Sequence, residues 1–281
     1  MSLEESSRPI AERWAEVVQH VKDEYLSTSQ SWPWIVGFSG GKDSTVVAHA
    51  VFEALAAIPP IQRTRPVHIV SNDTMVESPL VMAHLDEVTV QIQEAVDSLS
   101  LPLTVARTRP DIDKTFWVLL IGKGYPSPNQ QMRWCTDRLK IQPTSTYIRE
   151  NVSKHGAAVV VLGVRRTESI RRMRTVNKYE NDRGTNLNPH SSITGAYIFR
   201  PIVELTTDDV WEILGSFHAP WGGSHKKLFQ LYRDAEGGDD DQMECLAGSP
   251  QFEFGFVASR QPPPRPTLDH QRGGHVPHDA P

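Results

Sequence analysis

Trp34-Ile35-Val36-Gly37-Phe38-Ser39-Gly40-Gly41-Lys42-Asp43-Ser44 is the stretch whose reading decides the fold. It opens as an apolar run and ends in a glycine turn, and Thr45 to Ala57 after it is rich in Ala and Val. That order predicts strand, sharp turn, helix. Two adjacent glycines permit both a tight bend and close approach of a ligand to the backbone. The first N–H groups of the next helix lack partners within it, so the turn is a ready anion site. Lys42 adds positive charge suited to a phosphate. Asp43 either holds a magnesium ion or caps the helix, and Ser44 offers a hydroxyl. The spacing is not that of the Walker A loop, which puts four residues between its first glycine and Gly-Lys.

Working outward, the chain alternates between strand and helix patterns. Ala11 to Leu26 carries Trp14, Val17, Val18, Val21 and Tyr25 at helical spacing, which predicts a helix laid against a sheet. Pro66 to Ser71 and Leu101 to Arg107 read as strands, with an amphipathic helix from Glu77 to Ser100 between them. Asp113 to Ile121 and Ile141 to Lys154 read as helices, Ala157 to Leu162 as a buried strand and Tyr197 to Pro201 as a short one. Gly122 to Gln131 and Lys178 to Gly195 read as loops. Thr206 starts a helix with a capping hydroxyl, and Val210, Trp211, Ile213 and Leu214 in it read as core. Leu228 to Tyr232 is a last short helix. Such alternation implies right-handed crossovers, hence an α/β fold with a parallel twisted sheet flanked by helices. Residues 1–236 form one domain in this reading. Residues 237–281 are an acidic loop and a Pro- and Gly-rich disordered tail.

In an open parallel sheet, ligands bind beyond the carboxyl ends of the strands. Asp73 falls at such an end, and two roles stay open for it: a nucleotide or metal contact, or a simple Asx turn. Gly163, Arg165 and Arg166 follow the buried strand ending at Leu162, where guanidinium suits phosphate. Arg171, Arg172 and Arg174 either continue that cluster or form a solvated face. Cys135 lies between Arg133 on one side and Arg138 and Lys140 on the other. Positive surroundings favour a reactive thiolate; the alternative is a buried small hydrophobe.

The bulk numbers narrow the field. With 281 residues and 38% hydrophobic content, the chain can bury a sizeable core. Its net charge of −5 does not draw the whole molecule to DNA, so nucleic acid must meet a local basic patch or a partner. Two cysteines, Cys135 and Cys245, imply no disulfide framework and make the cytoplasm the natural compartment. Met1 to Pro9 does not read as a signal peptide, and no apolar run suits a membrane span.

The glycine loop, Arg133-Trp134-Cys135-Thr136-Asp137, the block from Gly163 to Ser169, and Pro201-Ile202 through Asp208-Asp209-Val210-Trp211 together resemble the phosphoadenosine-phosphosulfate reductase superfamily. Its SGGxDS pyrophosphatase loop, or PP-loop, splits ATP between the α and β phosphates. Within it the chain looks most like the DNA-phosphorothioation branch, DndC and SspD. Asn188-Pro189-His190 and Trp221-Gly222-Gly223 fit that branch too. The resemblance covers about Trp34 to Glu244. It implies that ATP adenylates a non-bridging oxygen of a DNA backbone phosphate, that pyrophosphate leaves, and that sulfur from a cysteine desulfurase displaces AMP.

The resemblance makes Lys42, Asp43, Cys135 and Arg165 catalytic. It assigns Phe38 to Ser44, Asp73, Gly163, Arg165 and Arg166 to the nucleotide and Asp43 to magnesium. Partners would be the desulfurase and other phosphorothioation subunits, with DNA reached through the complex. Many members hold a 4Fe-4S cluster on four cysteines; Cys135 and Cys245 match the first two positions and the rest are absent. A sulfonucleotide reductase, a sulfate adenylyltransferase small subunit and a nucleotide-binding regulatory ATPase subunit stand as alternatives.

Overall fold

The short apolar runs become strands of one sheet, and the longer periodic segments cover it. The structure, a computed structural model, describes residues 8–27, 31–129, 132–166 and 186–235. The strands are β1 Trp34–Gly37, β2 Val67–Asn72, β3 Leu103–Thr108, β4 Ala158–Val161, β5 Asn188–Pro189 and β6 Ala196–Phe199. Their order across the sheet is β3-β2-β1-β4-β6-β5. All pairings are parallel except β5 with β6. Trp34 lies opposite both Val67 and Val159, so β1 is central. Every residue of β1 and β4 is buried, as expected of parallel strands covered on both faces.

Alternation divides the core. Trp34 and Val36 of β1, with Val159 and Val161 of β4, pack with the helices α1 Ile10–Leu26, α2 Lys42–Ala57 and α3 Pro79–Leu99. Helices α6 Thr207–Ser216 and α7 Lys226–Ala235 join that layer through Val210, Ile213 and Leu228. Ile35, Ala158 and Val160 face the other way, toward Ile148 of helix α5 Gln142–His155. Helix α2 is buried almost all round, the signature of an internal helix. The glycine loop is therefore mounted on the most enclosed helix described.

Helix α6 starts in a capping box: the Thr206 hydroxyl accepts from Asp209 N, and the Asp209 carboxylate accepts from Thr206 N. Asp209 also takes a two-point contact from Arg13 of α1, at 2.5 and 2.6 Å. Burial alone would raise the Asp209 pKa, but Arg13 and the Thr206 contacts hold it below the ordinary carboxylate value.

Two local expectations need correction. Asp113 to Ile121 is not one helix. It is a 3-10 turn, Ile112–Lys114, followed by a π-type turn, Val118–Gly122, closed by Lys123 N on Val118 O. Its apolar ends, Ile112 and Ile121, remain exposed and Leu119 alone is buried, too narrow an apolar face to hold a regular helix. Within the segment read as a loop, Asn188–Pro189 pairs antiparallel with β6 at the sheet edge, a place where a strand tolerates proline. Arg171, Arg172, Arg174, Cys245 and the 237–281 tail lie outside the described residues.

Candidate nucleotide site

The strand order reverses between β1 and β4, so the chain leaves these two neighbours in opposite directions. That leaves a crevice at their carboxyl ends, the usual ligand position in such sheets. Phe38 continues the ladder by donating to Val70 O at 2.9 Å, and its ring is buried in the core. Its ring therefore positions the loop, and the part of Phe38 left to meet a nucleotide is its main chain. Gly40 takes a φ of +78°, and a Cβ there would lie 3.4 Å from Leu85 of α3.

The two serines brace the turn from within. Ser39 N donates to Ser44 Oγ at 3.2 Å, Gly41 N donates to Ser39 Oγ at 3.3 Å, and Ser44 Oγ donates to Gly41 O at 3.0 Å. Gly41 is the N-cap of α2 and has no side chain with which to cap that end. A long helix thus presents its positive end at the crevice without an internal cap. Lys42 stands at this end with its side chain 12% exposed. Its Nζ lies 3.7 Å from Asp43 Oδ2 and 5.2 Å from the centre of the Tyr232 ring. Tyr232 also accepts from Lys42 N at 3.3 Å through its hydroxyl.

Arg165 does not lie open toward a phosphate. It is 2% exposed and donates from Nε to Asp43 Oδ1 at 2.7 Å and from Nη1 to Thr207 Oγ1 at 3.0 Å. This pairing also corrects the magnesium role of Asp43. The carboxylate is 3% exposed and already faces two cations, and a magnesium ion, which keeps several waters, does not fit there. Arg166 turns outward to Glu204, 2.6 Å away. Gly163 explains why the turn sits so close to β4. A Cβ on it would come within 3.0 Å of the Asp43 carbonyl carbon and oxygen and 3.1 Å of Ser44 N.

Asp73 forms the Asx turn, accepting from Met75 N at 3.0 Å, and its other oxygen accepts from Arg109 Nε at 2.9 Å. Cys135 is a half-buried free thiol on the short helix α4 Trp134–Thr136. Lys140, one of its sequence neighbours, is paired to Glu77 at 3.0 Å. An iron-sulfur cluster takes four thiolates; the chain has two cysteines, so the donor set does not fit one. Among the described residues, no group of three or more His, Cys, Asp or Glu is placed to hold a metal.

Three neighbours of the site carried no sequence signal. Tyr232 reaches the loop from 190 positions away. Thr207 and Arg109 are identifiable only as partners of residues already singled out.

Comparison with known proteins adds the family. An uncharacterised protein of Methanocaldococcus jannaschii is 25% identical over 197 residues, 70% of this chain and 34% of that protein. The chain therefore spans about a third of the length of that relative. Among solved structures, phosphoadenylyl-sulfate reductase from Candida auris aligns with a TM-score of 0.43 and 12% identity, covering 77% of this chain and 87% of that one. The U34-tRNA thiolase NcsA from Methanococcus maripaludis, solved with its [4Fe-4S] cluster, gives 0.43 and 11%, covering 85% and 80%. NAD+ synthetase from Burkholderia pseudomallei gives 0.47 and 13%, covering 79% and 71%. Residues 33–221, from the start of β1 to just before α7, match the phosphoadenosine phosphosulfate reductase domain, and the chain belongs to that family.

Proposed function

We propose that this chain binds ATP on the loop between β1 and α2 and splits it into AMP and pyrophosphate, activating an acceptor oxygen by adenylation. The observation that carries this reading is the N-terminus of α2, which its own N-cap Gly41 leaves without a side-chain cap and where the Tyr232 hydroxyl accepts from the first N–H, with Lys42 beside it in the crevice between β1 and β4. The N–H groups of that first turn, once Tyr232 yields Lys42 N, and the Lys42 cation would stabilise charge gathering on departing pyrophosphate. The acceptor in this reading is a backbone phosphate of DNA, adenylated on a non-bridging oxygen. Its oxygen is a poor leaving group until it carries AMP. The outer sulfur of a desulfurase persulfide then attacks the activated phosphorus, AMP leaves, and a dithiol reductant splits the resulting sulfur–sulfur bond to leave the phosphorothioate. The blocks around Cys135 and Gly163 support this branch.

The test is α-labelled ATP with DNA, the desulfurase, cysteine and a dithiol reductant, followed by separation of nucleotides and analysis of nuclease-resistant dinucleotides. AMP with pyrophosphate and a phosphorothioate linkage is expected; ADP with phosphate overturns the reading. Family membership equally supports a second reading, reduction of a sulfonucleotide. Sulfite release from phosphoadenylyl sulfate in the presence of a dithiol reductant, with no product on DNA, would select it.

A further inference from the structure

A cavity of about 300 Å³ opens beyond the carboxyl end of β3, and the proposed reaction leaves it unused. Arg107, Arg109, Lys114 and Arg138 bring four cations to its wall, against Asp111 and Glu150. Arg107 is tied to Asp86 and Lys114 to Asp111, each at 2.5 Å. Arg109 uses only Nε, toward Asp73, and is 63% exposed. Arg138 stands 3.7 Å from Asp137, beyond hydrogen-bond distance. The terminal nitrogens of Arg109 and Arg138 are thus donors without a hydrogen-bond partner among the described residues.

The segment supplying this wall also differs from the rest of the chain. From Arg107 to Gln142 there are seven Lys or Arg and three Asp; Arg107, Lys114, Lys123 and Lys140 are each paired to a carboxylate, which leaves the outer nitrogens of Arg109 and Arg138 as the donors open to an anion. Aromatic rings are interleaved with these charges. Phe116 stacks on Trp134 at 5.4 Å, Tyr125 meets Trp134 edge-on at 5.2 Å, and Trp117 meets Phe116 edge-on at 5.1 Å. Trp117 is 58% exposed, and Ile112, Ile121 and Met132 are exposed on the same segment. Trp134 and Arg138 are one helical turn apart on the run Trp134–Ile141, so ring and cation share a face.

We propose that this surface binds a nucleic-acid strand, with a backbone phosphate in the cavity against Arg109 and Arg138 and an unstacked base on Trp117. Rings and cations in alternation match a polyanion that carries flat apolar bases. A small anion would need the cavity but not Trp117. A protein partner would cover the apolar residues without needing the open guanidinium nitrogens of Arg109 and Arg138 at the cavity. The proposal rests on the pyrophosphatase reading at one point: Arg109 contacts Asp73 at the end of β2, which sets the bound phosphate beside the nucleotide edge.

The experiment measures anisotropy of a short fluorescein-labelled oligothymidylate titrated with the full chain in the absence of ATP. Turnover of ATP is followed separately. Trp117→Ala should weaken binding about tenfold. Arg138→Gln should weaken it and lower the salt dependence by roughly one unit of log K against log salt. Both residues are at least partly exposed, and circular dichroism with a melting curve verifies that the variants fold. Affinities within twofold of the parent for both variants would overturn the proposal. So would full competition by inorganic phosphate with Trp117→Ala silent, or no binding by the parent at low salt. Strand binding by a chain that makes ADP from ATP would refute the proposed reaction and leave this surface standing.

Discussion

Arg165 donates its Nε proton to Asp43 Oδ1 at 2.7 Å, and both side chains are almost sealed from water. This pair joins the end of β4 to the first turn of α2, and it fixes the loop from below. Removing one member of a buried pair strands the other and costs roughly 3–5 kcal/mol. Arg165→Met and Asp43→Asn are each expected to lose stability of that order in urea denaturation. The double variant should lose clearly less than the sum of the two. Strict additivity would show that the pair is not coupled.

Lys42 has the opposite profile. It is not locked in the pair with Arg165, and its charge stands at the open end of α2. Lys42→Ala should lower the rate of ATP cleavage by roughly a hundredfold or more, the scale of losing one charged contact to a developing anion. Its melting temperature should change little. A variant that cleaves ATP at the parental rate would remove Lys42 from the mechanism.

Tyr232 accepts from Lys42 N with its hydroxyl, at the position an anion oxygen would take. The hydroxyl therefore competes with a ligand for that donor. Tyr232→Phe keeps the ring beside Lys42 and Trp211 and frees the N–H. Pyrophosphate should bind a few-fold more tightly, in line with about 0.5–1.5 kcal/mol for one neutral hydrogen bond. Calorimetry decides it, and weaker binding by Tyr232→Phe would mean the hydroxyl helps hold the ligand.

The loop was legible in the sequence because its causes are local. An apolar strand, two glycines and a helix start lie within eleven consecutive residues, and the Thr206 cap and Asp73 turn are equally short-range. Arg165 was not legible in the same way. Its sign and position suggested phosphate, but its fate depends on Asp43, 122 positions away in sequence. A cation at a strand end reads alike whether it faces solvent or a buried carboxylate. Phe38 shows the same limit: its place in the motif was clear, while its burial follows from the neighbouring β2 ladder.

A cluster of buried histidines behind the loop makes stability depend on pH. Burial first, then His49, His84 and His218 nearby, lower the His225 pKa from 6.5 to about 4. Its Nε2, like His49 Nδ1 and His84 Nδ1, has no hydrogen-bond partner among the described residues. Above pH 6.5 the ring is neutral folded or unfolded, and its contribution is fully present. Between there and about pH 4 only the unfolded chain takes up the proton, so stability falls as pH falls. The shift corresponds to on the order of 3 kcal/mol. His225→Phe should flatten the pH dependence of the urea midpoint across that window. An unchanged slope would place the titration elsewhere.

Gly163 offers the sharpest separation of folding from function. A methyl group there would sit 3.0 Å from the Asp43 carbonyl and 3.1 Å from Ser44 N, closer than backbone tolerates without moving. The neighbours are the first turn of a helix enclosed on nearly every side, so the strain cannot be relieved by turning a side chain. Overpacking of this kind costs typically about 1–3 kcal/mol, which a domain with this core can survive. The displacement falls on the N–H groups expected to face a phosphate, where a small error in position is felt directly. Gly163→Ala should therefore fold with a lowered melting temperature and lose most of its affinity for ATP and pyrophosphate. Arg166→Gln, three positions on and already paired outward with Glu204, should retain most of both. If Gly163→Ala binds nucleotide as the parent does, the close approach of β4 to the loop is packing alone and the anion site lies elsewhere.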